Sequence, residues 1–256
     1  MTNSGPRRVL ALSIGNTSLF AGVFSGARLT AAFRFAPAEL FRLPRRVRGR
    51  IDAAVLCSVV PALTPDVVRL VRRAWNLEPR QLTADAPHGL RIGYRRPREL
   101  GADRLAAALG AREKFPRRNT IVVDCGTATT VTALRRDGTL LGGAIFPGLA
   151  LWPEMLMTRT AQLPRVTPMR PRAALGRSMR AGIASGVFFG HAGAIRETVA
   201  RVRAEAFGKA AGIILGTGGH APLFSREKLF TALEPNLVLE GLRAFAEGAS
   251  PLSVAL

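Results

Sequence analysis

The stretch Ile121–Val122–Val123–Asp124–Cys125–Gly126–Thr127–Ala128–Thr129 is an apolar run that breaks into a small polar loop carrying Gly and Thr. Val9–Leu10–Ala11–Leu12–Ser13–Ile14–Gly15–Asn16–Thr17 has the same outline about 110 residues earlier. Aliphatic and β-branched residues over this length predict a buried strand, and the Gly-containing end predicts a tight turn. Each copy is followed by a second apolar run, a turn and a third run. These are residues 19–24, Ser25–Gly26 and 29–35 in the first copy, and residues 130–134, Asp137–Gly138 and 140–145 in the second. Asp-Gly between β-type runs signals a hairpin, because both residues tolerate positive φ. The chain therefore divides into two related halves, each opening on a strand, a loop and a hairpin.

Outward from these stretches, residues 51–59 predict a strand closed by Pro61, and residues 65–75 a helix. Residues 99–114 are Ala-rich, with Leu100, Leu105 and Leu109 at helical spacing. Pro116–Arg117–Arg118–Asn119 marks the boundary, giving an N-terminal half over 7–115 and a C-terminal half over 119–256. In the second half, residues 178–207 are helical by composition. Gly182, Gly186 and Gly190 lie four apart there, a spacing that marks tight helix packing. Residues 211–215 predict a buried strand leading into Gly216–Thr217–Gly218–Gly219, and residues 238–247 a last helix. Strands alternating with helices give an α/β class with mixed, partly parallel sheets flanked by helices.

Of the 256 residues 48% are apolar, enough for full-sized cores. The formal charge is +20, and all but three of the 37 basic residues are arginine. Such a chain attracts anions generally, but no helix shows a concentrated basic face interleaved with aromatics, so specific nucleic-acid binding is not expected. Cys57 and Cys125 have no CxxC neighbour, and His88, His191 and His220 are too scattered for a metal motif. The longest apolar runs, such as 53–60, fall far short of the roughly 18 residues of a membrane span. Arg7 and Arg8 before an apolar run resemble a signal peptide briefly, but Ser13, Asn16, Thr17 and Ser18 interrupt it. The expectation is a soluble, reduced, cytoplasmic chain with no membrane partner.

A strand ending in a Gly-rich turn with a hydroxyl suits phosphate, since the backbone can approach and its N–H groups face the anion. Gly15–Asn16–Thr17 and Gly126–Thr127–Ala128–Thr129 both fit, and a facing pair would clamp a polyphosphate; two ordinary tight turns are the plain alternative. Neither G-x-x-x-x-G-K-[ST] nor a strand-linked G-x-G-x-x-G occurs. Aspartates number six, so each position carries information. Asp103, inside Gly101–Ala102–Asp103–Arg104, suits either first-turn electrostatics or a base accepting a proton from a hydroxyl, with Arg104 holding an anionic group. Asp124 could hold a cation or stabilise its turn. Tyr94, the single tyrosine, reads alone as a packed aromatic, and His191 and His220 as helix and loop residues.

The segments Leu12–Ser13–Ile14–Gly15–Asn16–Thr17, Cys57–Ser58–Val59–Val60–Pro61, Gly93–Tyr94 through Gly101–Ala102–Asp103–Arg104, Asp124–Cys125–Gly126–Thr127–Ala128–Thr129, residues 142–148 and Thr217–Gly218–Gly219 occur in that order. Together they resemble type III pantothenate kinase over nearly the whole chain. The resemblance implies duplicated ribonuclease H-like halves of the acetate and sugar kinase, Hsp70 and actin type. It also implies transfer of the ATP γ-phosphoryl group to pantothenate, the first step toward coenzyme A. A homodimer is implied too, with Mg2+ and a monovalent cation, K+ or NH4+. By position, Ser13, Gly15, Asn16, Thr17 and Thr127 would bind ATP. Asp103 would accept the proton, with Tyr94, Gly101, Ala102, Arg104 and Met179 around pantothenate, and Asp124 would hold the cation.

Two positions depart from the family pattern. The family opens its first loop with an aspartate that helps manage magnesium and phosphates, where this chain has Ser13. In Gly176–Arg177–Ser178–Met179, Met179 replaces a threonine that reaches pantothenate. Losing a metal-orienting carboxylate raises the barrier by roughly 3–4 kcal/mol. These departures motivate a rival: a weakened or inactive paralogue with a regulatory or binding role.

Overall fold

In the computed structural model, which describes residues 7–248, both quoted stretches are central strands. The first sheet contains β1 (Arg8–Ile14), β2 (Leu19–Ser25), β3 (Arg28–Phe35), β4 (Ala53–Ser58) and β5 (Arg80–Gln81), in the order β3-β2-β1-β4-β5. β1 runs antiparallel to β2 and parallel to β4. After a short β6 (Arg91–Ile92), the plan recurs in β7 (Thr120–Cys125), β8 (Ala128–Leu134), β9 (Thr139–Pro147), β10 (Ile213–Thr217) and β11 (Ala232–Leu233). Their order is β11-β10-β7-β8-β9, with β7 antiparallel to β8 and parallel to β10. The duplication expected from the two stretches is thus a duplication of strand order. Val9, Leu10, Ala11 and Leu12 of β1 have no exposed surface, and Ile121, Val122 and Val123 of β7 at most 1%. Strands covered on both faces have to read as continuous apolar runs.

The chain forms two compact units, one of residues 7–116, 137–139 and 237–248, the other of 117–136 and 140–236. The hairpin turn 137–139 belongs to the first because Arg91 holds it. The Arg91 backbone N–H donates to the Gly138 carbonyl at 3.0 Å, and its guanidinium to the Asp137 carboxylate at 2.7 Å. Among the helices, α1 (Leu43–Arg46) is a single turn, and α2 (Thr64–Trp75) buries Val67 and Val71 and ends on Asn76 in the left-handed region. The helix expected over 99–114 begins later, as α3 (Ala102–Lys114). Pro97–Glu99 form a 3-10 turn, and Leu100 and Gly101 are extended. Asp103 consequently lies in the first turn.

In the second unit, α4 (Leu151–Arg159) precedes the 29-residue α5 (Met179–Phe207), whose N-cap Ser178 accepts from the Ala181 N–H at 3.2 Å. Ile183, Val187, Phe188, Ile195 and Val199 of α5 enter the core against β7 and β8. The glycine stripe is not a packing seam within this chain. A Cβ at Gly182 or Gly186 would meet no described atom within 4 Å, whereas one at Gly190 would lie 3.1 Å from Trp152; Gly182 instead receives Gly176, where a Cβ would lie 2.3 Å from the Gly182 nitrogen. No described helix is long and apolar enough to cross a membrane.

The last helix, α6 (Leu237–Ala246), was expected with the second half (119–256) but packs in the first unit, on α3, β1 and β4; residues 249–256 lie outside the described part. The reason is the composition of α3. Its residues 104–111 are all buried, so it needs cover on more than one side, and Leu237, Leu239, Leu242 and Phe245 supply it. The two backbones touch. A Cβ at Gly241 would sit 1.8 Å from the Ala106 carbonyl oxygen, and one at Gly110 would sit 2.1 Å from that of Leu237. Arg243, 4% exposed, pairs with Glu113 at 2.8 Å and with Glu247. Gly241→Ala should therefore cost about 3 kcal/mol by overpacking, read as a lower denaturation midpoint, while Ala244→Gly, at a position without that clash, should cost only about 1 kcal/mol.

Candidate active site

A strand buried on both faces can present polar groups only where it ends, and in each unit the candidate residues gather at the carboxyl ends of the central parallel pair. In the first unit, Ser13 of β1 stands in register with Cys57 of β4 and hydrogen-bonds its thiol. The Val59 N–H donates to the Ile14 carbonyl at 3.0 Å, so the chain after β4 stays beside the first loop. That loop closes through the Gly15 N–H on the Ser18 carbonyl at 3.0 Å, which leaves Asn16 and Thr17 at an exposed tip.

Asp103 belongs to the same neighbourhood, since its charge is felt at Cys57. Its Oδ1 accepts the Arg104 N–H at 2.8 Å. A Cβ at Gly101 would sit 2.6 Å from that same oxygen, so glycine is what leaves room for the carboxyl. Burial pushes the Asp103 carboxyl above the usual range, and the Arg104 N–H and guanidinium pull the other way. Arg104 is itself 6% exposed and donates through Nη1 to the Tyr94 hydroxyl at 2.5 Å. Tyr94 is thus tied to the same segment rather than simply packed. A pocket of about 340 Å³ opens beside Gly101 and Ala102, lined also by Ser58, Val59, Gln81 and Thr83. Cys57 is no nucleophile at neutral pH: burial, with a smaller push from Asp103, takes its thiol up to about 12.

In the second unit, Asp124 stands in register with Thr217 of β10, the counterpart of the Ser13–Cys57 pair. Ser13 and Asp124 therefore occupy equivalent places in the repeat. Three chain segments meet around the second loop. The Gly148 N–H donates to the Thr127 carbonyl at 3.0 Å, and a Cβ there would lie 2.3 Å from the carbonyl oxygens of both Gly126 and Thr127. Gly218, at φ +86°, passes so close that a Cβ would lie 2.3 Å from Asp124 Oδ1. The His220 N–H donates to the Cys125 carbonyl at 3.1 Å. This hard-oxygen cradle fits an alkali cation in donor type. Among the described residues no three His, Cys, Asp or Glu side chains form a metal-binding group. Met179 sits half exposed in the first turn of α5.

The sequence singles out the loops and Asp103 as candidates but says nothing of how Cys57, Gly148 and His191 meet them. Gly148 had a signal, the Pro147–Gly148 punctuation after a strand; the partners of Cys57 and His191 lie 44 and 62 residues away and left none. His88 is a turn residue, its ring bridging the Ala84 carbonyl at 3.2 Å and the Leu90 N–H at 3.1 Å.

Solved structures of the same fold are known. A Campylobacter jejuni protein whose structure is titled as that of a "conserved putative Baf family transcriptional activator" aligns with a TM-score of 0.61 at 18% identity, covering 94% of this chain and all of the other. A ROK family glucokinase from Streptomyces griseus, in complex with glucose and AMPPNP, aligns at 0.55 and 13% identity, covering 93% and 98%. At such identities the likeness shows the fold alone. Sequence similarity goes further. A type III pantothenate kinase of Legionella pneumophila (strain Corby) is 37% identical over 250 residues, 93% of this chain and 98% of the relative. One from Geobacter sulfurreducens is 37% identical over 253 residues, with the same shares. The type III pantothenate kinase family pattern itself matches residues 9–201. With that match and these relatives, this chain belongs to the type III pantothenate kinase family.

Proposed function

We propose that this chain transfers the γ-phosphoryl group of ATP to the primary hydroxyl of pantothenate, giving 4′-phosphopantothenate on the route to coenzyme A. The observation that carries the reading is the desolvated Asp103 carboxyl, made room for by Gly101 and flanked by the Arg104–Tyr94 pair. As the hydroxyl oxygen bonds to the γ-phosphorus, the bond to the bridging oxygen of ADP breaks and Asp103 takes the proton. A base near its working pH transfers protons most effectively, so burial that raises the Asp103 carboxyl favours this role. Gly101, Ala102, Arg104 and Tyr94 hold pantothenate, Arg104 facing its carboxylate, with Met179 supplying an apolar contact. Gly15, Asn16, Thr17 and Thr127 bind the ATP phosphates through N–H and side-chain donors. Asp124 would hold K+ or NH4+, and Mg2+, when bound with ATP, would supply neutralisation of the phosphate charge. The working form is a homodimer in the cytoplasm; two buried free thiols suit that reducing compartment.

Purified chain given ATP, Mg2+, K+ and pantothenate should form phosphopantothenate by mass spectrometry; no product where a control kinase yields it refutes the activity. Asp103→Asn should lower kcat by 10²–10⁴-fold. The acidic limb of kcat/KM for the native chain should lie above the usual carboxylate range, because the base works only when ionised. Stability should move oppositely. A carboxyl raised by folding binds protons more readily folded than unfolded, so it costs stability once pH exceeds its usual range. Asp103→Asn should thus gain about 1 kcal/mol at pH 7, the gain shrinking as pH falls through the raised value and vanishing below the usual range. Ser13 already has a partner in Cys57, so Ser13→Asp tests a charge rather than a gap. It should raise kcat/KM for Mg·ATP by one to two decades; an unchanged value removes the metal-orienting role from this position.

A further inference from the structure

His191 lies in the middle of α5 and has no exposed surface. Its Nε2 lies 3.1 Å from Thr129 Oγ1, also fully buried. Its ring packs against Phe146 at 5.5 Å, Trp152 at 5.7 Å and Phe224 at 5.5 Å between centroids. His220 is close enough to act on it electrostatically. These neighbours are not a random lining. Thr129 is two residues beyond Thr127, Phe146 two residues before Gly148, and His220 two residues beyond Gly218. Residues 127, 148 and 218 are where the three segments of the second loop meet, through the Gly148–Thr127 and His220–Cys125 hydrogen bonds and the close approach of Gly218 to Asp124.

The chemistry of the ring suits a fixed role. Burial, with a smaller push from His220, takes its pKa down to about 4, so it is neutral where the protein works. Among the described residues Nδ1 has no hydrogen-bond partner. A buried bare lone pair costs less than a buried bare N–H, so the proton belongs on Nε2, donating to the Thr129 oxygen. The result is one directed hydrogen bond inside an aromatic cage, with no charge change over the working range.

We propose that His191 is a positioning residue for ATP binding: from α5 it fixes the start of β8 through Thr129 and the flanking segments through its ring, and so sets where Thr127 presents its donors. The inference rests on the reading of residues 124–127 as a phosphate loop. His191→Phe keeps an aromatic ring of similar size and removes the donor, and Thr129→Val removes the acceptor from the other side with little change in volume. Each should raise the Kd for Mg·ATP and the KM for ATP about tenfold while the KM for pantothenate stays within about twofold. The double variant should be no worse than the stronger single one, since both delete one bond. His191→Gln, whose amide can reach the same place, should recover most of the ATP affinity.

The native chain is measured first. If it neither binds Mg·ATP nor forms product, the phosphate-loop reading falls and this inference with it. If the native chain binds but the variants bind ATP as it does, the positioning role alone is overturned. It is overturned equally if the KM values for both substrates rise together with a fall in Tm and the glutamine variant restores neither. Should His191→Phe not fold, Thr129→Val carries the same comparison.

Discussion

A strand with no solvent on either face has nowhere to put a polar side chain except at its end, and that constraint shapes both units of this protein. β1 and β7 are buried along their length, each between an antiparallel and a parallel neighbour. At the carboxyl end of a parallel pair the two chains leave in the same direction, so their loops start side by side. Ser13 beside Cys57 stands one pair before that divergence, and Asp124 beside Thr217 at it.

Close approach of backbone does much of the remaining placement. Gly101, Gly148 and Gly218 each occupy a point where one added carbon would strike a site atom, whether the Asp103 carboxyl, the Thr127 carbonyl or the Asp124 carboxyl. Removing that carbon lets oxygen-rich segments crowd together without water between them. Desolvation then does the electrostatic work: the same burial that lifts Asp103 leaves both thiols protonated and His191 neutral. The site's acid–base behaviour is in this sense a packing result.

The halves were legible because full burial leaves a mark in composition: runs of aliphatic residues ended by Gly and Thr, and an Asp-Gly turn with no other good reading. Local signals placed α2 and α5 within a residue or so. They failed at α3, where Ala and Leu continue the helical pattern back through Leu100 while Pro97 and the demand for an extended Gly101 stop the helix short. They failed again at α6, because an amphipathic helix says that one face is buried and not by what. In the candidate site, Asp103 and the loops stood out through their scarcity and spacing. The partners of His191 and Cys57 are set by tertiary neighbours dozens of residues away and have no local signature.

The return of α6 to α3 has a consequence for the order in which the molecule can be completed. The intervening 120 or so residues hold nearly all of the second unit, whose contacts can close as soon as they are made. The N-terminal sheet, though it precedes the second unit in the sequence, keeps one flank of α3 uncovered until α6 is in place. The earliest part of the chain is thus the last to be sealed. A chain lacking α6 would carry its defect not at the cut but along α3, well over a hundred residues earlier.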